Sequence, residues 1–314
     1  MIKKLYIRIA NLIITYVPVS VRFRDALTWP IASRIIGTSY NDVQELKAGF
    51  KLNAYMDDQL GRFALFYGPS IIYFWEPTTM RLLERLVRDA REVIIAGSHI
   101  GLTALYARRA MKKDGTRVHT FEPIAHLHEV SQKNFDLNPE LGSIMLSRQA
   151  LGDKPGTVTM TQDRIRSRII QDEGASAIET ESVPIITIDS YCHEHGVTQL
   201  DLVLLDVEGY EYNALLGMGE ILSSHPPKDI IYEISFPEKD GLEAAYRIET
   251  FLKTFKYACY IIVEAHDPIQ DRGRNKKQHL SHTSKSVYES HKKDRYFNVL
   301  ATLRPESEIL QILG

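Results

Sequence analysis

Cysteine is nearly absent from this chain, with only Cys192 and Cys259 among 314 residues. They lie far apart and without partners at metal spacing, so a disulfide framework and a structural zinc site are both excluded. A reducing, cytoplasmic setting is the natural expectation, and neither thiol is placed as a nucleophile. An excess of one charge is also missing. Lysine and arginine number 38 against 40 acids, a formal net charge of -2, so no global field recommends a nucleic-acid partner. Long apolar runs are lacking too. The most apolar stretch, Met1–Tyr16, is too short for a transmembrane span, carries Arg8 in its middle and has no small-x-small cleavage site. What remains, 44% hydrophobic and 25% charged, describes an ordinary globular chain.

One further absence is specific. The segment Glu92–Pro123 reads as strand, glycine-bearing turn, helix, strand and terminal acid, the first half of a nucleotide-binding α/β sheet. A dinucleotide site wants Gly-x-Gly-x-x-Gly, yet the turn here is Gly97-Ser98-His99-Ile100-Gly101, with bulky His99 where a pyrophosphate would need close approach. An NAD-dependent oxidoreductase is thereby disfavoured. A wider turn suits a nucleoside ligand without pyrophosphate, such as S-adenosylmethionine. Small turn residues let backbone approach that ligand, and Glu122, at the tip of the second strand, is placed to take both ribose hydroxyls.

Taken in order, the chain opens on an apolar helix with one narrow polar stripe, Lys4, Arg8, Asn11 and Thr15. Peripheral membrane contact through residues 1–18, with Lys3, Lys4 and Arg8 toward anionic lipid, and packing on its own domain or a partner stand as alternatives. Residues 1–50 are read as an N-terminal extension and 51–314 as the α/β domain. A helix with Leu82, Leu83, Leu86 and Val87 on one face precedes the first strand. Ser143–Leu151 reads as the third strand. Leu200–Asp206 is the clearest strand, continuously apolar as a central parallel strand should be, with the next helix starting near Tyr210. Strands at Asp229–Ile234, Ala258–Val263 and Phe297–Leu303 complete a doubly wound, mostly parallel sheet. Between the last two lies a polar insertion, 265–295, rich in lysine, arginine and histidine. Closing over the acceptor is its expected role, and its charge hints at an acidic or phosphorylated one.

These motifs resemble the FkbM-type methyltransferase family from about Lys51 to Leu303. Ile95–Gly101 stands where that family has acid-x-Gly-Ala-Asn-x-Gly. Phe121-Glu122-Pro123 matches its Phe-Glu-Pro, and Ala150-Leu151-Gly152-Asp153 its Ala-Leu-x-Asp. Asp206-Val207-Glu208-Gly209 matches its Asp-x-Glu-Gly, and Trp75-Glu76-Pro77 is similar to its upstream Tyr-Glu-Pro. The resemblance implies a Rossmann-like sheet of the class I methyltransferase type. It also implies S-adenosylmethionine as cofactor and O-methylation of a hydroxyl on a sugar, lipid or other small molecule, the acceptor being a small molecule or glycan. Expected cofactor contacts are Glu76, Gly97, Ser98, His99, Gly101, Glu122, Pro123, Ala150 and Asp206. Asp206 and Glu208 are candidates for base and acceptor positioning; capping the next helix is the plainer role for Asp206. The pair lacks a third ligand, so no metal is expected. Two departures stand out: His99 replaces asparagine and Ile95 replaces the acid. The second leaves the cofactor's cationic end without a partner unless Glu76 supplies one. A noncatalytic scaffold with a degenerate site is the alternative that Ile95 motivates.

Overall fold

The computed structural model describes residues 2–16, 31–67, 71, 75–161, 169, 179–235, 241–264, 280–291 and 296–313. Pro18, Tyr73, Phe74 and most of the basic residues of the insertion, Arg272, Arg274, Lys276, Lys277, Lys292 and Lys293, lie outside them.

A hairpin comes first, β1 (Asn41–Leu46) and β2 (Phe50–Tyr55), antiparallel from Asn41↔Tyr55 to Leu46↔Phe50. Gly49, at φ +85°, makes the turn. The pairing crosses position 50, so the expected division between an extension and a domain falls inside a hairpin. Asn138 fastens β2 to the main body, accepting from Lys51 N–H at 2.7 Å and donating to Lys51 C=O at 2.7 Å.

The central sheet has eight strands. β3 (Glu92–Ala96), β4 (Arg117–Phe121) and β5 (Ile144–Ser147) form one half. A smaller sheet follows in sequence, built from β6 (Ala150–Leu151), β7 (Gly156–Thr161) and β8 (Thr180–Ile186). The other half holds β9 (Leu202–Leu205), β10 (Asp229–Ser235), β11 (Ala258–Ile262), β12 (Leu280–His282) and β13 (Tyr296–Thr302). The spatial order is β12-β11-β13-β10-β9-β3-β4-β5, with β13 antiparallel to both its neighbours and β12 antiparallel to β11. The chain runs outward from β3 to β5, then returns to β9 and runs outward the other way. The switch point therefore lies between β3 and β9, where the crevice of an open α/β sheet is found. All four residues of β9 are buried, as helices on both faces require.

Three expectations need correction. The stretch Ser143–Leu151 is two strands in two sheets, because Arg148 and Gln149 interrupt the apolar pattern and the chain turns away after Ser147. The insertion contributes a strand and a helix: β12 pairs with β11, and the helix Lys285–His291 buries Tyr288 completely, stacked 5.8 Å from Phe297. The helix after β9 runs Glu211–Leu216 with Tyr210 at its N-cap, so Asp206 does not cap it. The turn between them is closed by Glu211, whose Oε1 accepts from Val207 N–H (3.0 Å) and Gly209 N–H (3.2 Å).

The N-terminal helix Ile2–Tyr16 does pack on its own domain. Ile7 and Ala10 are buried in the main core, and the helix rests on Gln59–Tyr67. Leu5 and Ile9 face outward. No helix of the described residues is long and apolar enough to cross a membrane.

Candidate active site

Strand register builds the site. Ala96 is level with Phe121 on one side and Leu205 on the other, so the next residues, Gly97, Glu122 and Asp206, leave the sheet at one height. Tyr232 is level with Leu205, which puts Glu233 beside Asp206, and Glu233 pairs with Asn298. Five adjacent strands thus deliver the row Glu122, Gly97, Asp206, Glu233 and Asn298 to the switch point. A cleft opens above it.

Gly97 is required by its surroundings. At φ +82° it passes so close to the next strand that a Cβ would stand 1.8 Å from the Asp206 carbonyl oxygen. The turn beyond it is clamped from the helix Ala125–Asp136. Ser131 Oγ donates to His99 C=O at 2.5 Å, and Asn134 Nδ2 donates to Ile100 C=O at 2.7 Å. His99 itself is left-handed, φ +50°, and its ring turns to Asp58, with Nε2 3.1 Å from Oδ2. Its backbone N–H donates to Glu122 Oε2 at 2.8 Å, while Glu122 Oε1 accepts from Ile124 N–H at 3.1 Å. Burial pushes the Glu122 carboxyl up to about 7, against His99 and these two donors, which favour its charged form.

The opposite wall is acidic. Glu76 sits at the N-cap of Pro77–Leu86 in left-handed geometry, φ 42°, yet its carboxylate caps nothing there. Glu264, at the end of β11, takes that role, accepting from Thr78 N–H (2.8 Å) and Thr79 N–H (2.9 Å). Glu76 is left to line the cleft, where Asn298 Nδ2 donates to its Oε2 at 3.0 Å. Burial, then the charges of Glu264 and Glu233, hold the Glu76 carboxyl well above the usual range, with Asn298 opposing. Asp206 is raised in the same direction by burial, then by Glu233, Glu76, Glu208 and Glu211. Burial pushes Glu211, behind the turn, up to about 8.

Of the residues singled out from sequence, Glu76, Gly97, Ser98, His99, Glu122, Pro123, Ala150, Asp206 and Glu208 all line this one cleft. Gly101 does not. It forms the left-handed N-cap of Leu102–Ala110, packed so that a Cβ would lie 2.7 Å from the Phe135 ring. Ile95 is not part of the cleft wall either: it is wholly buried in the apolar cluster that also holds Leu60, Leu127, Ala150 and Met160. Sequence reasoning missed Glu233, Asn298 and Tyr296. Glu233 did carry a signal, since it closes an apolar strand as Asp206 follows one, but only register shows the two side by side. Cys192 and Cys259 are both buried, each thiol pushed up to about 12 by burial, and stand outside the cleft wall. Among the described residues no three His, Cys, Asp or Glu side chains are grouped as a metal ion would require.

Fold and cleft define an open α/β protein with a nucleoside-type site at the switch point, in a sheet where β13 is inserted in reverse between β10 and β11. The Methyltransferase FkbM domain matches residues 96–279, more than half the chain, and the chain belongs to that methyltransferase family. Similarity to solved structures is loose. Methyltransferase FkbM from Methylobacillus flagellatus KT is 14% identical over 77% of this chain and 52% of its own, with a TM-score of 0.46, so the chain spans about half that protein's length. An O-methyltransferase from Bacillus cereus, solved in complex with SAH, is 11% identical over 72% of this chain and 81% of its own, with a TM-score of 0.41. No curated protein matches the chain.

Proposed function

We propose that this protein is an S-adenosylmethionine-dependent O-methyltransferase acting on a hydroxyl of a sugar, lipid or other small molecule. The row Glu122–Gly97–Asp206–Glu233 at the carboxyl edge of the sheet carries the reading. The cofactor, when bound, supplies a methyl group on a positively charged sulfur. The residues present suit such a group: a carboxylate for ribose hydroxyls at Glu122, backbone that only glycine permits at Gly97, and an acidic wall for a cationic ligand. Ala150, Leu151 and Met160 give the cleft an apolar lining, fit for a flat base. Glu76 and Glu233 offset positive charge in poorly hydrated surroundings, where Coulomb attraction is only weakly screened. Asp206, half-buried with its carboxyl raised by burial and neighbouring acids, is suited, once ionised, to accept a proton from an acceptor hydroxyl. The acidic wall runs against the earlier hint of an acidic or phosphorylated acceptor, and a neutral, hydroxylated acceptor fits it better.

Calorimetry and methyl-transfer assays with labelled cofactor test this. Wild type should bind S-adenosylmethionine with net proton release near pH 7, since a cation entering the cleft draws raised carboxyls toward ionisation. Glu122→Gln keeps an oxygen for the His99 N–H but loses the charge. A charged hydrogen bond contributes about 1.5–3 kcal/mol, so affinity should fall roughly ten- to a hundredfold. Absence of binding by wild type, or equal binding by Glu122→Gln, would overturn the assignment.

A further inference from the structure

Away from the cleft, exposed apolar side chains are unevenly placed. Among the described residues seven large hydrophobics are exposed, and five of them, Leu5, Ile9, Ile31, Ile35 and Val43, lie within the first 43 positions. Two short helical stretches share a common logic. In Ile2–Tyr16, Ile7 and Ala10 turn into the core while Leu5 (57% exposed) and Ile9 (48%) point the opposite way. At 31–36, Ala32 and Ile36 turn inward and Ile31 and Ile35 outward. The inward sets belong to one core cluster, and Lys3 and Lys4 tie the first helix to the segment after the second. Lys3 Nζ stands 5.7 Å from the Tyr40 ring centre and Lys4 Nζ 3.0 Å from Asp42 Oδ1. Val43 is exposed on β1.

Charge singles out what such a surface would meet. Residues 2–16 and 31–40 contain Lys3, Lys4, Arg8 and Arg34 and no acid. Those four positive charges stand in a chain of net -2, leaving -6 on the rest. All four side chains are exposed. Nearby Asp42 is already matched by Lys4, and Glu45 is the one exposed acid of β1. Apolar side chains flanked by cations, with the opposite charge gathered elsewhere, suit the headgroup layer of an anionic bilayer, where leucine and isoleucine enter the acyl boundary and lysine and arginine meet lipid phosphates and carboxylates. A second copy of this chain would bring like charge against like.

We infer that the outward face of the N-terminal helix and the 31–36 stretch is a peripheral docking surface for anionic lipid. The full chain should sediment with vesicles containing phosphatidylserine but not with pure phosphatidylcholine vesicles, and binding should weaken as salt is raised. Leu5→Glu/Ile9→Glu, both at exposed positions, should lower the bound fraction at least tenfold while melting temperature is unchanged. Arg8→Glu/Arg34→Glu should do likewise. Failure of the wild type to sediment with phosphatidylserine, or sedimentation of both double variants at the wild-type level, overturns the proposal. So does a dimer in solution that Leu5→Glu/Ile9→Glu dissociates while vesicles leave the wild type in the supernatant.

Discussion

At the scale of single residues the cleft is a set of carboxylates held where they prefer to be neutral. Glu76, Glu122, Asp206 and Glu211 are all raised, and burial is the largest cause in each case. For Asp206 this has a kinetic consequence. A general base works only when ionised, so kcat/KM should rise with pH through a raised carboxyl rather than sit on a plateau from pH 5 upward. Asp206→Asn should remove that acidic limb and lower turnover by about a hundredfold or more, with cofactor affinity changed far less. A pH–rate series on both proteins checks this. A variant with wild-type turnover would return Asp206 to a purely structural part. Glu76 lines the cleft because its backbone is left-handed and Glu264 caps the helix end in its place.

At the scale of elements, β3 shows why a family motif does not by itself say which way a side chain points. Alternate residues of a strand face opposite sides of the sheet. Ile94 and Ala96 belong to one apolar cluster, and Val93 and Ile95 to the other, with Ile100, Leu102 and Leu105. An aspartate at position 95 would be buried among these apolar side chains. Leaving a charge there without partners costs on the order of several kcal/mol, enough to unfold a chain of ordinary stability or force the carboxyl neutral. Ile95→Asp should therefore lower the melting temperature by many degrees without tightening the cofactor, as thermal scans with and without ligand would show. A variant as stable as the wild type that binds more tightly would restore the missing-acid reading.

For the molecule as a whole, the raised carboxyls set a pH dependence of stability. Glu122 at about 7 and Glu211 at about 8 both lie above the carboxylate value of an unfolded chain, so the folded state binds more protons between. Their stabilising contribution is complete below about pH 4.5 and is lost as pH rises through 7 and 8. Glu211→Gln keeps an oxygen for Val207 and Gly209 and removes the charge. It should gain on the order of 4 kcal/mol at pH 8 and far less at pH 5, readable as a shift in denaturant midpoint. An equal effect at both pH values would mean that Glu211 is ionised throughout. Because a cationic ligand relieves the same repulsion, its stabilisation of the fold should also be greatest on the alkaline side.

The chain's own order determined a good deal. Continuous apolar runs at Val93–Ala96 and Leu202–Leu205, helix formers between them and an acid just past Phe121 specify a parallel α/β sheet with a nucleoside turn, because burial on both faces and glycine's backbone freedom are local requirements. The register of those strands was not local. That Glu233 stands beside Asp206, that Asn298 reaches Glu76 across more than two hundred residues, and that Ile95 faces the core all follow from pairings between strands distant in sequence. A shift of one residue in any pairing would exchange the two faces of a strand. So the kinds of residue in the cleft were written in the sequence, while their company, and with it their protonation, was settled only when the sheet closed around them.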